Sequence, residues 1–338
     1  MSVLSVLDQS PIRSGGTAAE AVRETLELAQ AAERLGYHRY WLAEHHSSRG
    51  LAGSTPEVLI GQVAARTRRI RVGAGGVMLS HYSPLKVAEN FRMLETLFPG
   101  RIDLGIGRAP GTDQRTARAL AHGMERPGLE HFPQQVADLM GFLHNRLDPG
   151  HQFAGVRAMP DGPGAPELWL LGSSDQSAAI AAHLGTAFSF AHFINNEGGA
   201  QVTRAYARQF RPSPSLGAPR ASVAVFVVCA DTEAEARRLA LSRELFLLWL
   251  YTGRSGAYPS AAEAEGYPYS ERERAIVEHT RQRTIAGTPE QVRGRLLALG
   301  TEYGVDEFVI VSITHDGKAR LRSYELLAEA FGLEPSET

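Results

Sequence analysis

Short apolar runs alternate with segments whose apolar residues recur every three or four positions, and the alternation spans the chain. The apolar runs predict strands at 3–7, 39–43, 70–79, 102–106, 167–171, 187–191, 223–230 and 307–313. The periodic segments predict helices at 17–35, 56–66, 84–97, 129–147, 199–210, 233–251, 288–299 and 319–331, with one more, alanine-rich, ending at Leu184. Two helix starts carry full capping signatures. Thr17 is followed three residues on by Glu20, and Thr288 by Gln291, with Pro289 at the first helical position. Gly36 and Gly185 stand where helices stop. Residues 148–166 form a Pro/Gly-rich connection, and 252–283, with two Tyr-Pro pairs and many charges, break the rhythm.

Strands alternating with helices imply parallel pairing through right-handed crossovers. Eight such units in 338 residues fit a closed (β/α)₈ TIM barrel better than an open doubly wound sheet, and no stretch reads as a linker. The expectation is a single domain over 1–338, with 252–283 as an insertion before the last helix–strand unit and a candidate lid.

In that fold, chemistry sits at the C-terminal ends of the strands. The rule selects Asp8 to Ser10, Glu44-His45-His46, Leu79 to Tyr82, Gly107-Arg108, Gly172-Ser173-Ser174, His192-Phe193 and Thr314-His315. Adjacent residues at a strand end point to opposite faces, so His45 and His46 do not readily share an ion. Only His81 and His192 offer further strand-end imidazoles, and no metal is expected. One of His45 and His46 facing the cavity as acid, base or hydrogen-bond donor fits better. The plainer alternative is a pair that packs and pins a loop.

Gly73, Gly75 and Gly76 inside the third strand leave room for a flat ring pressed on the backbone, or for a bulge that curves the barrel. Gly105-Ile-Gly-Arg-Ala-Pro-Gly111 is spaced G-x-G-x-x-x-G, is interrupted by Pro110 and opens no βαβ unit, so it is no dinucleotide loop. Arg108 within it reads as a phosphate or carboxylate clamp, or as a surface arginine closing a loop. After the fifth strand, Gly172-Ser173-Ser174 leads into a helix. Its unpaired N–H groups and dipole make an anion site to which Ser173, Ser174 and Ser177 would add hydroxyls. A simple helix cap is the alternative there.

Composition narrows the partners. A hydrophobic content of 43% and a charged content of 21% describe a globular chain with a large core. A formal net charge of −2 leaves no basic stripe for nucleic acid. The single cysteine, Cys229, excludes an intrachain disulfide and lies in a predicted buried strand. No apolar run has the length of a membrane span and no leader pattern opens the chain, so a cytoplasmic protein without membrane contact is expected.

Together these pieces resemble the bacterial-luciferase-like flavin monooxygenase family, in its FMN-type, alkanal-monooxygenase-like branch. The resemblance rests on Tyr40-Trp-Leu-Ala-Glu-His-His46, Ile70-Arg-Val-Gly-Ala-Gly-Gly-Val-Met-Leu79, Gly100-Arg-Ile-Asp-Leu-Gly-Ile-Gly-Arg108, Leu168-Trp-Leu-Leu-Gly-Ser-Ser174 and Ile285-Ala-Gly-Thr-Pro289. It runs over nearly the whole chain and implies a TIM barrel, usually dimeric through helices near the second and third strands. It implies His45 as the catalytic histidine with His46 as alternate, and Gly75-Gly76 as a cis peptide under the flavin ring. It places Arg108 on the flavin phosphate with Gly172, Ser173, Ser174 and Ser177. Luciferase itself has a reactive cysteine where this chain has Gly107, which argues against light emission. The implied reaction takes reduced FMN as a diffusible co-substrate from a separate NAD(P)H:flavin reductase. With dioxygen it transfers one oxygen atom to a small organic substrate. Such chemistry needs a dry cavity, for which Phe193, Trp249, Tyr251 and residues 252–283 are candidate walls or lid. A deazaflavin-dependent hydride-transfer enzyme and a non-catalytic flavin-binding protein are the competing readings.

Overall fold

The structure, a computed structural model, describes residues 2–108, 112–122 and 128–335. Among the described residues there are nine strands: β1 (Val3–Asp8), β2 (Arg39–Leu42), β3 (Arg71–Met78), β4 (Ile102–Gly107), β5 (Glu167–Gly172), β6 (Ala187–Ala191), β7 (Ala221–Cys229), β8 (Thr284–Gly287) and β9 (Glu307–Val311). The α-helices are α1 (Ala18–Arg34), α2 (Pro56–Arg66), α3 (Pro84–Leu97), α4 (Gln114–Leu120), α5 (Phe132–Leu143), α6 (Asp175–Leu184), α7 (Gly199–Gln209), α8 (Glu233–Tyr251), α9 (Ala261–Glu265), α10 (Glu271–Arg281), α11 (Pro289–Tyr303) and α12 (Gly317–Phe331).

β1 to β7 pair in sequence order, β7 pairs with β9 and β9 with β1, all parallel, which closes an eight-stranded (β/α)₈ barrel. Every strand expected from sequence is present. The ninth, β8, was not expected. β7 runs past the end of β6, whose pairing stops at Ala224, and β8 takes over from Phe226 to Cys229. Residues 252–283 do interrupt the rhythm, yet they are not irregular throughout. Ser260 with Glu263 and Ser270 with Glu273 form capping boxes that start α9 and α10. These helices bury Ala264 and Val277 against Leu245 and Leu248 of α8. The insertion is tied to the loop after β1: the Ser14 N–H donates to the Tyr258 carbonyl, and Tyr258 N–H to that of Ile12. The predicted helix 129–147 is shorter, because α5 ends at Leu143 and Asn145 turns into a positive φ of 50°.

Alternation along the strands divides the core in two. Tyr40, Leu42, Val223 and Val225 face the surrounding helices, whereas Leu7, Trp41, Ala43, Trp169, Ala224 and Phe226 fill the barrel. Its floor, at the N-terminal ends of the strands, is ionic. Arg39 donates to Glu307 at 2.6 Å and to Asp103 at 2.8 Å, and its guanidinium lies 4.8 Å from the Trp169 ring centroid. Trp41 and Trp169 give their indole N–H groups to Asp103 and Glu167. Each charge there has a partner, as a buried layer requires. Cys229, in the outer half of the core, is buried, and burial pushes its thiol pKa up to about 12.

Candidate active site

The end of β2 separates its two histidines. The His46 Nε2 lies 2.7 Å from Glu44 Oε1. The same oxygen accepts from the Tyr82 hydroxyl at 2.7 Å, and Glu44 Oε2 accepts from the Met78 N–H at 3.0 Å. Glu44 thereby ties the end of β2 to the end of β3. His81 is buried beside this network, its ring 6.2 Å from that of His46 and edge-on to it. His45 follows Trp41 and Ala43 in the inward alternation and takes no part in the Glu44 network. Its backbone N–H is held by the Gly53 carbonyl at 2.7 Å, but its Nδ1 is buried with no partner. Burial, with His46 adding to it, holds the His45 pKa down at about 4, so the ring is neutral at physiological pH. An orphaned imidazole nitrogen at a strand end is a group awaiting a ligand atom.

Gly75 and Gly76 are joined by a cis peptide bond, and the β3–β4 register slips between Gly75 and Val77. A Cβ on Gly75 would meet Leu7 Cδ1 at 2.7 Å, and one on Gly76 the Gly105 carbonyl oxygen at 2.7 Å. Close packing of neighbouring strands thus already requires glycine at both positions, and the irregularity in β3 is a bulge as well.

On the far side of the mouth, Arg108 leaves β4 and donates to the side-chain oxygen of Gln176 in the first turn of α6. Ser174 is the N-cap of that helix and its hydroxyl makes no capping bond, but the Asp175 carboxylate accepts from the Gln176 N–H at 2.8 Å, so the first turn is capped by Asp175. Asn195 donates to the Ser173 carbonyl at 3.3 Å and pins the loop from β6. Ser177 is buried and sits so close to Gly172 that a Cβ there would lie 2.4 Å from its hydroxyl. The strand end, the glycine turn, the N-terminus of α6 and a guanidinium lie together, an arrangement that favours an anion, and the Asp175 carboxylate already holds one of the N–H groups. The end of the Gly105 to Gly111 loop, residues 109–111, lies outside the described residues.

The remaining strand-end candidates divide. His192 is buried after β6, its Nδ1 has no partner, and burial with Arg243 nearby lowers its pKa to about 4. Asp8 is structural, held by Arg320 at 2.6 Å and by the Tyr40 hydroxyl at 2.5 Å. His315 turns away to the Ser14 carbonyl and lines an outer groove between α1 and α12. Trp249 packs against the insertion, and Tyr251 is exposed with its hydroxyl bonded by Arg283. Sequence reasoning passed over Gln176 and Asn195, and gave Glu44 and Tyr82 no role. Only Glu44, a carboxylate between an apolar strand and two histidines, carried a readable signal. Among the described residues no group of three or more His, Cys, Asp or Glu side chains is placed to hold a metal ion.

A closed parallel barrel with buried imidazoles at the C-terminal ends of its strands has the architecture of the TIM-barrel class. The chain belongs to the luciferase-like monooxygenase family, whose profile matches residues 3–307. It is 50% identical over 335 residues to the Bacillus subtilis (strain 168) protein YwcH, covering 98% of this chain and 99% of that protein. It is 40% identical over 328 residues to an N-acetyl-S-alkylcysteine monooxygenase of the same organism, with 97% of each chain covered. The crystal structure of apo-MsnO8 superimposes with a TM-score of 0.91 at 40% identity, over 99% of this chain and 100% of that one. The oxygenating constituent of a Pseudomonas putida 3,6-diketocamphane monooxygenase, solved with FMN, shares the fold: TM-score 0.70, 20% identity, the whole of each chain covered. The protein is thus an oxidoreductase of the monooxygenase type. Among the described residues no helix is long and apolar enough to cross a membrane.

Proposed function

We propose that the protein uses reduced FMN and dioxygen to oxygenate a small organic substrate, the flavin arriving from a separate NAD(P)H:flavin reductase. The observation that carries the FMN reading is the bond from Arg108 to Gln176, which sets a guanidinium at the N-terminus of α6. A phosphate monoester fits there: the helix dipole and the arginine favour an anion, the Ser174 hydroxyl makes no capping bond, and the phosphate would displace the Asp175 carboxylate from the Gln176 N–H. Gly172, Ser173, Ser174, Ser177 and Arg108 would hold that group, and Gly75-Gly76 would border the ring. When bound, the reduced flavin supplies the electrons that let one oxygen atom enter the substrate while the other leaves as water.

The chain's own residues position and protect this chemistry. His45, neutral and unpaired, serves as the hydrogen-bonding and proton-handling group at the reacting end, while His46 is committed to Glu44. Phe193 and the insertion, docked on the loop after β1, exclude water from the mouth. The exposed apolar residues Val58 of α2 and Met93 and Leu97 of α3 support a homodimer through those helices. The 40% identical relative makes N-acylated S-alkyl amino acids the first substrates to try.

The test is an anaerobic titration with reduced FMN and, separately, reduced riboflavin. FMN is expected to bind at least about tenfold more tightly, the worth of a charge-assisted phosphate site. Equal binding of the two overturns the phosphate assignment. Binding of a deazaflavin cofactor in place of both moves the protein to hydride transfer.

A further inference from the structure

We infer that Arg243, with the Tyr258 hydroxyl, forms a substrate subsite for a carboxylate at the β6–β7 side of the barrel mouth. This rests on the monooxygenase reading above and adds a substrate class to it.

Arg243 belongs to α8, and only 6% of its surface is exposed. Its guanidinium lies 3.7 Å from the ring centroid of Phe226, an inward-facing residue of β7. Nε donates to the Thr284 hydroxyl at 3.0 Å, and Nη2 to the Phe193 carbonyl at 3.1 Å. Among the described residues Nη1 has no hydrogen-bond partner. Among the described residues Arg243 has no carboxylate partner. This sets it apart from the buried Arg39 and Arg320, which have Glu307 and Asp8. Its charged neighbour is another cation, Arg283, and burial pulls its pKa down to about 10.

Two further polar atoms are buried without a partner among the described residues, the Tyr258 hydroxyl and the His192 Nδ1, and both groups feel the Arg243 charge. A buried cation without counter-charge is costly unless a ligand supplies the anion. A planar guanidinium with one edge committed and the other open is shaped for a carboxylate. A tyrosine hydroxyl beside it can complete the recognition. The aromatic face of Phe226 fixes the guanidinium plane.

The probes are matched acid and neutral pairs: N-acetyl-S-benzylcysteine and its methyl ester, benzoate and benzamide, hexanoate and hexanamide. Each is titrated calorimetrically into the FMN-loaded protein, or into the flavin-free protein if FMN does not bind, so that failure of the cofactor reading is seen separately. At least one acid is expected to bind about tenfold or more tightly than its neutral partner. In Arg243→Gln that preference falls to near unity. In Arg243→Lys it is partly kept, and Tyr258→Phe reduces it several-fold with the fold intact by circular dichroism. FMN affinity stays within about twofold in all three variants. The inference is overturned if no acid is preferred, or if the preference survives Arg243→Gln. It is likewise overturned if Arg243→Gln weakens FMN but not riboflavin, which would give this arginine to the flavin phosphate.

Discussion

His46 Nε2 and Glu44 Oε1 lie 2.7 Å apart, and this contact decides the division of labour between the two histidines. Glu44 also accepts from Tyr82 and from the Met78 backbone, so one buried carboxylate organises three elements at the mouth. Glu44→Ala leaves those donors unsatisfied. It should cost about 1–3 kcal/mol of stability, read from the urea unfolding midpoint. An unchanged midpoint would mean that the Glu44 network does not hold the end of β2.

The histidines themselves should separate by kind of effect. His45→Ala is expected to lower turnover by about 10²-fold or more while FMN affinity changes little, the loss of one acid–base group. His46→Ala should act on stability and substrate KM more than on kcat, since its ring is bound to Glu44. Steady-state kinetics with the reductase-coupled system reads both. The reverse pattern would exchange their roles.

Acid should destabilise the fold in a defined window. His45 and His192 are held at about 4 against an ordinary 6.5, because burial favours the neutral ring. The unfolded chain therefore takes up these protons first. Stability is full above about pH 6.5 and falls as pH drops toward 4, by at most about 1.4 kcal/mol per pH unit for each ring. Urea unfolding at several pH values checks this, and His192→Asn should remove part of the slope.

The ionic floor tests the barrel independently of the site. Arg39→Met strands Glu307 in a buried layer and leaves Asp103 with Arg71 as its counter-charge, and should cost about 3–5 kcal/mol. Its effect on FMN affinity in the surviving folded protein should be small, because the floor lies at the opposite end of the strands. Denaturant midpoints and an FMN titration of the same sample separate the two effects.

What the sequence disclosed follows from how local each signal is. Apolar runs and capping boxes are short-range, so the eight barrel strands and the starts at Thr17 and Thr288 were readable. β8 was not, since Thr284 to Gly287 is too short for a pattern and gains its meaning only from the overhang of β7. Ser260 with Glu263 and Ser270 with Glu273 carried readable capping signals, hidden by the charge of their surroundings. Strand-end reasoning reached His45, His46, Arg108 and Ser174. It could not reach Gln176, Asn195 or Arg243, whose meaning depends on partners 68, 22 and 50 residues away. Gly75 and Gly76 were read as room for a ring, but the neighbouring strands alone already demand glycine there.

One measurement bears most directly on the central claim. The purified protein is loaded anaerobically with reduced FMN and mixed with air-saturated buffer, and the return of oxidised-flavin absorbance is followed. Oxidation of the bound flavin should be much slower than that of free FMN, and His45→Ala should bring it back toward the free rate. Oxidation as fast as in free solution, with FMN demonstrably bound, would contradict the account and leave a flavin carrier or an oxidase in its place.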